Sequence, residues 1–148
     1  MRKKLIIILT ILLTIPDILV GQKQNTTKYP YQLIDINYSA RKSGHFVINN
    51  ADEFWDMLGS FPPSGINFYQ NVLIVIIGST GGCSEPKISI EMVQNTEIKA
   101  IDCFIRIDVF GACRANYRIT RWILIKKPPT EYVINVKVFK VFNKLTEL

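Results

Sequence analysis

From Asn71 onward the chain alternates apolar and polar positions with a period of two. Ile88, Ile90 and Met92 fall on one side of residues 87–93, and Lys87, Ser89 and Glu91 on the other. Ile101, Cys103, Ile105, Ile107 and Val109 oppose Asp102, Phe104, Arg106 and Asp108 in the same way. Tyr132, Ile134, Val136 and Val138 alternate with Glu131, Val133, Asn135 and Lys137. That period is the signature of strands with one face in a core. Val72 to Ile77 is a continuous apolar run bounded by turn residues, which predicts a strand buried on both faces. Ile119 to Ile125 reads as a further, less regular strand, and shorter ones are expected over Gln32–Ile36 and His45–Ile48.

One segment breaks the period. Asn50 can cap a helix and Glu53 completes a capping-box pattern, with Phe54 and Leu58 four apart on one face and Trp55 beside them. Gly59 supplies a left-handed stop. A short helix over about 51–58 is therefore expected to cover one side or end of a sheet. Phe61-Pro62-Pro63-Ser64-Gly65 reads as a loop, and Gly78-Ser79-Thr80-Gly81-Gly82 as a flexible corner. The fold class is α+β with β dominant: about six or seven mostly antiparallel strands in a sandwich or partly closed barrel, with one helix.

The N-terminus has another character. Basic Met1-Arg2-Lys3-Lys4 precedes the apolar run Leu5–Ile15, which Pro16 and Asp17 end, with Gly21 ahead of Gln22. This is the pattern of a signal peptide over residues 1–21. The run is short of the about 20 residues a membrane span needs, although an uncleaved N-terminal anchor is the alternative. The expected mature chain has a flexible leader at 22–29 and a single β-rich domain at 30–148, with no membrane span. Asn25-Thr26-Thr27 and Asn37-Tyr38-Ser39 match the glycosylation sequon.

Composition adds limits. Apolar residues make up 48% of the chain, enough for a core, so disorder is excluded. Beyond residue 21 there remain 15 basic and 11 acidic residues, a net charge of +4. A mild excess without a dense Lys/Arg stripe points away from nucleic acid.

Three cysteines remain: Cys83, Cys103 and Cys113. In an exported chain an odd number implies one bridge and one thiol. With Asn95-Thr96 as a two-residue hairpin turn, Ile88 faces Cys103 and the apolar faces of both strands coincide. Cys103 then lies about 16 Å from the level of Cys83 at about 3.3 Å per residue, beyond bridging distance. Cys83 and Cys113 share the open end of the hairpin and are the expected disulfide, with Cys103 a small buried hydrophobe.

Catalytic chemistry has little to work with. A Cys nucleophile needs a base, and the one histidine is His45, in an expected strand. The cysteine spacings of twenty and ten residues do not suit zinc. The glycine-rich stretch after Ile77 lacks the Gly-Lys-Ser/Thr ending of a phosphate loop. Glu85, Glu91, Asp102 and Asp108 are scattered over loop and outward strand positions. No catalytic, metal or cofactor-binding set is assigned. Arg114, Tyr117, Arg118, Arg121 and Trp122 mix guanidinium and aromatic groups typical of binding hot spots, just after Cys113. They form a candidate binding patch, or a sheet edge kept soluble by charge.

Ile66-Asn67-Phe68 before the buried strand, Gly81-Gly82-Cys83 at its end, the strands around Ile88 and Ile105, and Ile125-Lys126-Lys127-Pro128 carry a resemblance. Residues 66–138 resemble a family of small exported bacterial domains, similar to the C-terminal domain of the protease-complex accessory protein PrcB. Cys83 stands where that family carries an aromatic residue. The resemblance implies a β-rich accessory domain acting outside the cytoplasm, and it brings no catalytic residues. The expected function is an exported, non-catalytic binding or accessory module in a periplasm, at a cell surface or outside the cell, its partner another protein or an envelope component. A small secreted hydrolase using His45 or scattered carboxylates, and a structural envelope component, are the alternatives.

Overall fold

The computed structural model describes residues 25–37 and 42–143. The expected signal peptide and the start of the leader lie outside the described residues. The elements run β1 (Thr26–Lys28), β2 (Tyr31–Ile34), β3 (Gly44–Ile48), α1 (Ala51–Leu58), β4 (Asn71–Gly82), β5 (Lys87–Asn95), β6 (Ala100–Phe110), β7 (Ala115–Lys126) and β8 (Val133–Asn143). They form two four-stranded sheets, in the orders β1-β5-β6-β8 and β2-β7-β4-β3. Among the described residues this is a β-sandwich with one short helix, and it is not closed into a barrel. All pairs are antiparallel except β6 with β8. Between those two the chain crosses to the other sheet as β7 and returns, so β8 runs in the direction of β6.

The unbroken apolar run of β4 has a direct cause. Val72, Ile74 and Ile76 point between the sheets, into a core with Met92, Ile101, Cys103, Ile105, Ile107, Val109, Ile119, Ile123 and Ile125. Leu73, Val75 and Ile77 point the other way, into a second core with Ile36, Ile48, Phe54, Met57, Leu58 and Trp122. Both faces of one strand are therefore dry.

Helix α1 roofs that second core. Asn50 Oδ1 accepts from Glu53 N at 2.8 Å, which satisfies that first-turn donor, and Asn49 N donates to Glu53 Oε2 at 2.7 Å, which ties the helix start to the residue before its cap. Gly59 takes φ 69° and ends the helix. Fully buried Phe54 stands with its ring centroid 6.4 Å from that of Phe68 and 6.3 Å from that of Trp122.

Three expectations are corrected. The β5–β6 turn spans Thr96–Lys99, so Ile88 faces Ile107 and Cys103 faces Met92. Asn95 Oδ1 accepts from the backbone N of Glu97 (3.0 Å) and Ile98 (3.2 Å), and Lys99 takes φ 51°, which together close the longer turn. The shift is even, so every side chain keeps its face. The glycine-rich stretch after Ile77 is not a corner: it continues β4, and Gly78–Gly82 pair with Ile119–Ala115. A Cβ on Gly82 would stand 3.2 Å from Ser84 O and 3.3 Å from Phe110 O, so the close approach itself calls for glycine. Part of the expected leader is also ordered as β1, pairing with β5 from Thr26↔Asn95 to Lys28↔Val93. Its backbone groups find partners there that an isolated polar segment does not announce.

Cys83 and Cys113 form the disulfide, with Cα atoms 4.7 Å apart. Extended β4 and β7 deliver them: Gly82 pairs with Ala115, and Cys83 N donates to Phe110 O at 2.6 Å. Cys103 is free and buried among the inter-sheet side chains, and desolvation pushes its thiol up to about 11. The folded state therefore holds a proton that the unfolded chain releases from about pH 9, so stability should fall as pH rises from about 9 towards 11. We expect iodoacetamide at pH 8 to leave Cys103 unmodified in the native protein and to alkylate it in urea. Rapid native alkylation would show the inter-sheet core to be open.

Candidate functional site

The five candidate patch residues lie on or beside β7 but do not share one surface. Alternation along the strand sends Arg118, Thr120 and Trp122 to the helix-covered face of their sheet, and Tyr117, Ile119 and Arg121 to the opposite face. Arg114 and Arg118 are exposed, while Tyr117 and Arg121 are half-buried. Trp122 is only 3% exposed and sits in the core beneath α1. The continuous exposed patch is thus corrected: Trp122 is a floor residue, because β7 is an interior strand whose face is roofed by Phe54.

Three of the five nevertheless meet again. Arg118, Arg121 and Trp122 line one groove of about 740 Å³. Its second wall is the end of β2 and the segment that follows, chiefly Leu33, Ile34 and Ile36. Strand β2 pairs with β7 only between Tyr31↔Ile125 and Ile34↔Trp122. Beyond Ile34 no described strand covers the side of β7 that carries Thr120 and Arg118, and the groove opens there. The Arg121 guanidinium donates to Thr120 O at 2.9 Å, which places that carbonyl on the uncovered side of the strand.

The chemistry of the groove is dominated by donors. Two guanidinium groups and the Thr120 hydroxyl stand over an apolar floor. The indole Nε1 of Trp122 is buried and has no hydrogen-bond partner. Such an unmet donor costs about 1–3 kcal/mol. Among the described residues Asp35 is the one carboxylate in the lining. A strand was legible over Gln32–Ile36, but its role as a wall of this groove was not, since that depends on the long-range pairing with β7.

The other candidate residues lie elsewhere. His45 stands opposite Ile76 on β4 and lines a cleft of about 360 Å³ at the β3–β8 side of the sandwich, with Lys140, Ser79 and an apolar floor including Ile107 and Ile119. Among the described residues no thiol or carboxylate lines that cleft. Asp102 and Asp108 face outward from β6, each held by cations and amides: Lys137 at 3.2 Å and Asn135 at 3.1 Å for Asp102, Arg106 at 2.9 Å and Asn143 at 3.1 Å for Asp108. Hydrogen bonds from Arg106 and then Asn143 hold the Asp108 carboxyl below the usual range. Among the described residues no three His, Cys, Asp or Glu side chains group as metal ligands, and no helix is long and apolar enough to cross a membrane.

The class defined by these features is a small, disulfide-bearing β-sandwich with a donor-lined groove on one sheet. No family model matches the chain, and no curated protein or solved structure matches it.

Proposed function

We propose that this chain is an exported, non-catalytic binding or accessory module that recognises another protein outside the cytoplasm. The observation that carries this reading is the groove, which gathers two arginines and an unpartnered tryptophan donor beside an apolar wall. Arginine and tryptophan are favoured binding anchors, and a rigid sheet holds them without the ordering cost of a loop. The disulfide and the leader pattern are compatible with export. The resemblance to accessory domains of protease complexes suggests a protease or protease subunit as partner.

The hydrolase alternative needs His45 beside a thiol or a free carboxylate. Its cleft offers lysine and serine instead, Cys103 is inside the core, and Asp102 and Asp108 are engaged on the outer face of the other sheet.

The test is photocrosslinking in the native host. A benzoyl-phenylalanine placed at Asn37, on the groove rim, should give a discrete protein adduct. The same group at Glu97, in the β5–β6 turn of the other sheet, should not. No adduct at Asn37, or the same adducts at both positions, would overturn the reading. Identification of the adduct as a protease subunit would support the suggested partner.

A further inference from the structure

We infer that the groove of β7 takes an acidic, extended peptide segment of the partner, with carboxylates about three residues apart. This rests on the binding-module reading above and names the chemistry its site would select. Arg118 and Arg121 are three positions apart on one strand, about 10 Å at 3.3 Å per residue. Alternation puts them on opposite faces of the sheet, yet both line the same groove, one on either side of the uncovered strand. An extended chain laid along that side passes both guanidinium groups in turn. Carboxylate is their matched partner, because charge-assisted bonds to a guanidinium are short and about twice as strong as neutral ones.

Two further observations point to an acceptor-rich ligand. Trp122 lines the groove with its Nε1 donor buried and unpartnered, so an acceptor settling against this floor gains a hydrogen bond if the indole turns toward it. The opposite wall, with half-exposed Leu33 beside Ile34, offers apolar contact for the side chains between the acids. Asp35, the single acid in the lining among the described residues, would disfavour contact at its end of the groove and so set the register of the acids against the two arginines.

The experiment is a titration followed by the two indole N–H resonances, since the chain contains two tryptophans. Trp55 on the outer side of α1, with its ring 4.6 Å from that of Phe61, is the internal control. The probes are capped hexapeptide pools with Asp or Glu fixed at positions two and five, and matched pools with Asn or Gln there. The acidic pool should shift the Trp122 resonance and leave Trp55 unmoved, and the neutral pool should bind at least tenfold more weakly. The variant R118Q/R121Q should weaken the acidic pool at least tenfold while its melting temperature stays within a few degrees. The charge-matched control K87Q/K126Q should weaken it less than twofold.

Equal binding of the two pools, equal loss in both double variants, or no Trp122 shift would overturn the inference. If R118Q/R121Q does not fold, R118Q alone, at the exposed position, decides by the same criterion. A crosslinked partner at Asn37 together with failure of the acidic pool would sink the acidic-peptide inference and leave the binding module standing. Failure of the crosslink would remove the module itself.

Discussion

Replacing Cys83 or Cys113 with serine should lower unfolding free energy by about 3.5 kcal/mol, because the bridge closes a loop with a sequence separation of 30. The two single variants should be nearly equal and the double variant little worse, since either change alone breaks the bond. In urea this corresponds to a midpoint lower by about 1–3 M at the m-values of small domains. Cys103→Ala removes only a thiol from a packed site and should cost about 1 kcal/mol through a small cavity. A loss at Cys83 no greater than that at Cys103 would show that the bridge adds nothing beyond the β4–β7 pairing. The effect should also be local in its first consequences. The strand ends at Gly82 and Ala115 should show faster amide exchange before the sandwich centre does.

The second large effect is expected at Phe54. It is the fully buried plug through which an eight-residue helix packs over Leu73, Val75, Ile77 and Trp122. A helix that short does not hold itself in water and depends on packing of its apolar face. Phe54→Ala should cost about 3–5 kcal/mol. It should also loosen the contact with Trp122 and Phe68, and with it the floor of the groove. Amide exchange over Ala51–Leu58 should accelerate well beyond that of β5 and β6, whose core lies between the two sheets, on the side of β4 and β7 away from α1. A loss below about 1 kcal/mol would mean that α1 is an ornament and that Leu73, Val75 and Ile77 are covered by something else.

The two predictions differ in how far the sequence alone led to them. The bridge followed from period-two alternation, which excluded Cys103 by placing it mid-strand on an apolar face. That exclusion survived a hairpin register wrong by four positions, because an even slip leaves every residue on its own face and moves Cys103 further from Cys83. The helix was legible from Asn50, Glu53 and Gly59, whose capping chemistry is local. The groove was not legible. Arg118, Arg121 and Trp122 were visible as residue types, but whether a tryptophan is surface or floor depends on what lies over it. Phe54 lies over it, about seventy residues earlier in the chain.

The sequence by itself determined the strand-rich class, the helix and its ends, the continuous strand destined for burial on both sides, and the pairing of Cys83 with Cys113. Each is encoded by short-range periodicity, by caps, or by elimination among three residues. Only the tertiary structure decided which strands lie side by side, that the glycines after Ile77 continue a strand, and that β1 joins one sheet while β2 joins the other. It alone split the Arg/aromatic cluster and reassembled part of it against residues 33–37. Cross-strand partners are chosen by the summed packing of two whole faces and by loop closure. No local window of residues carries that information.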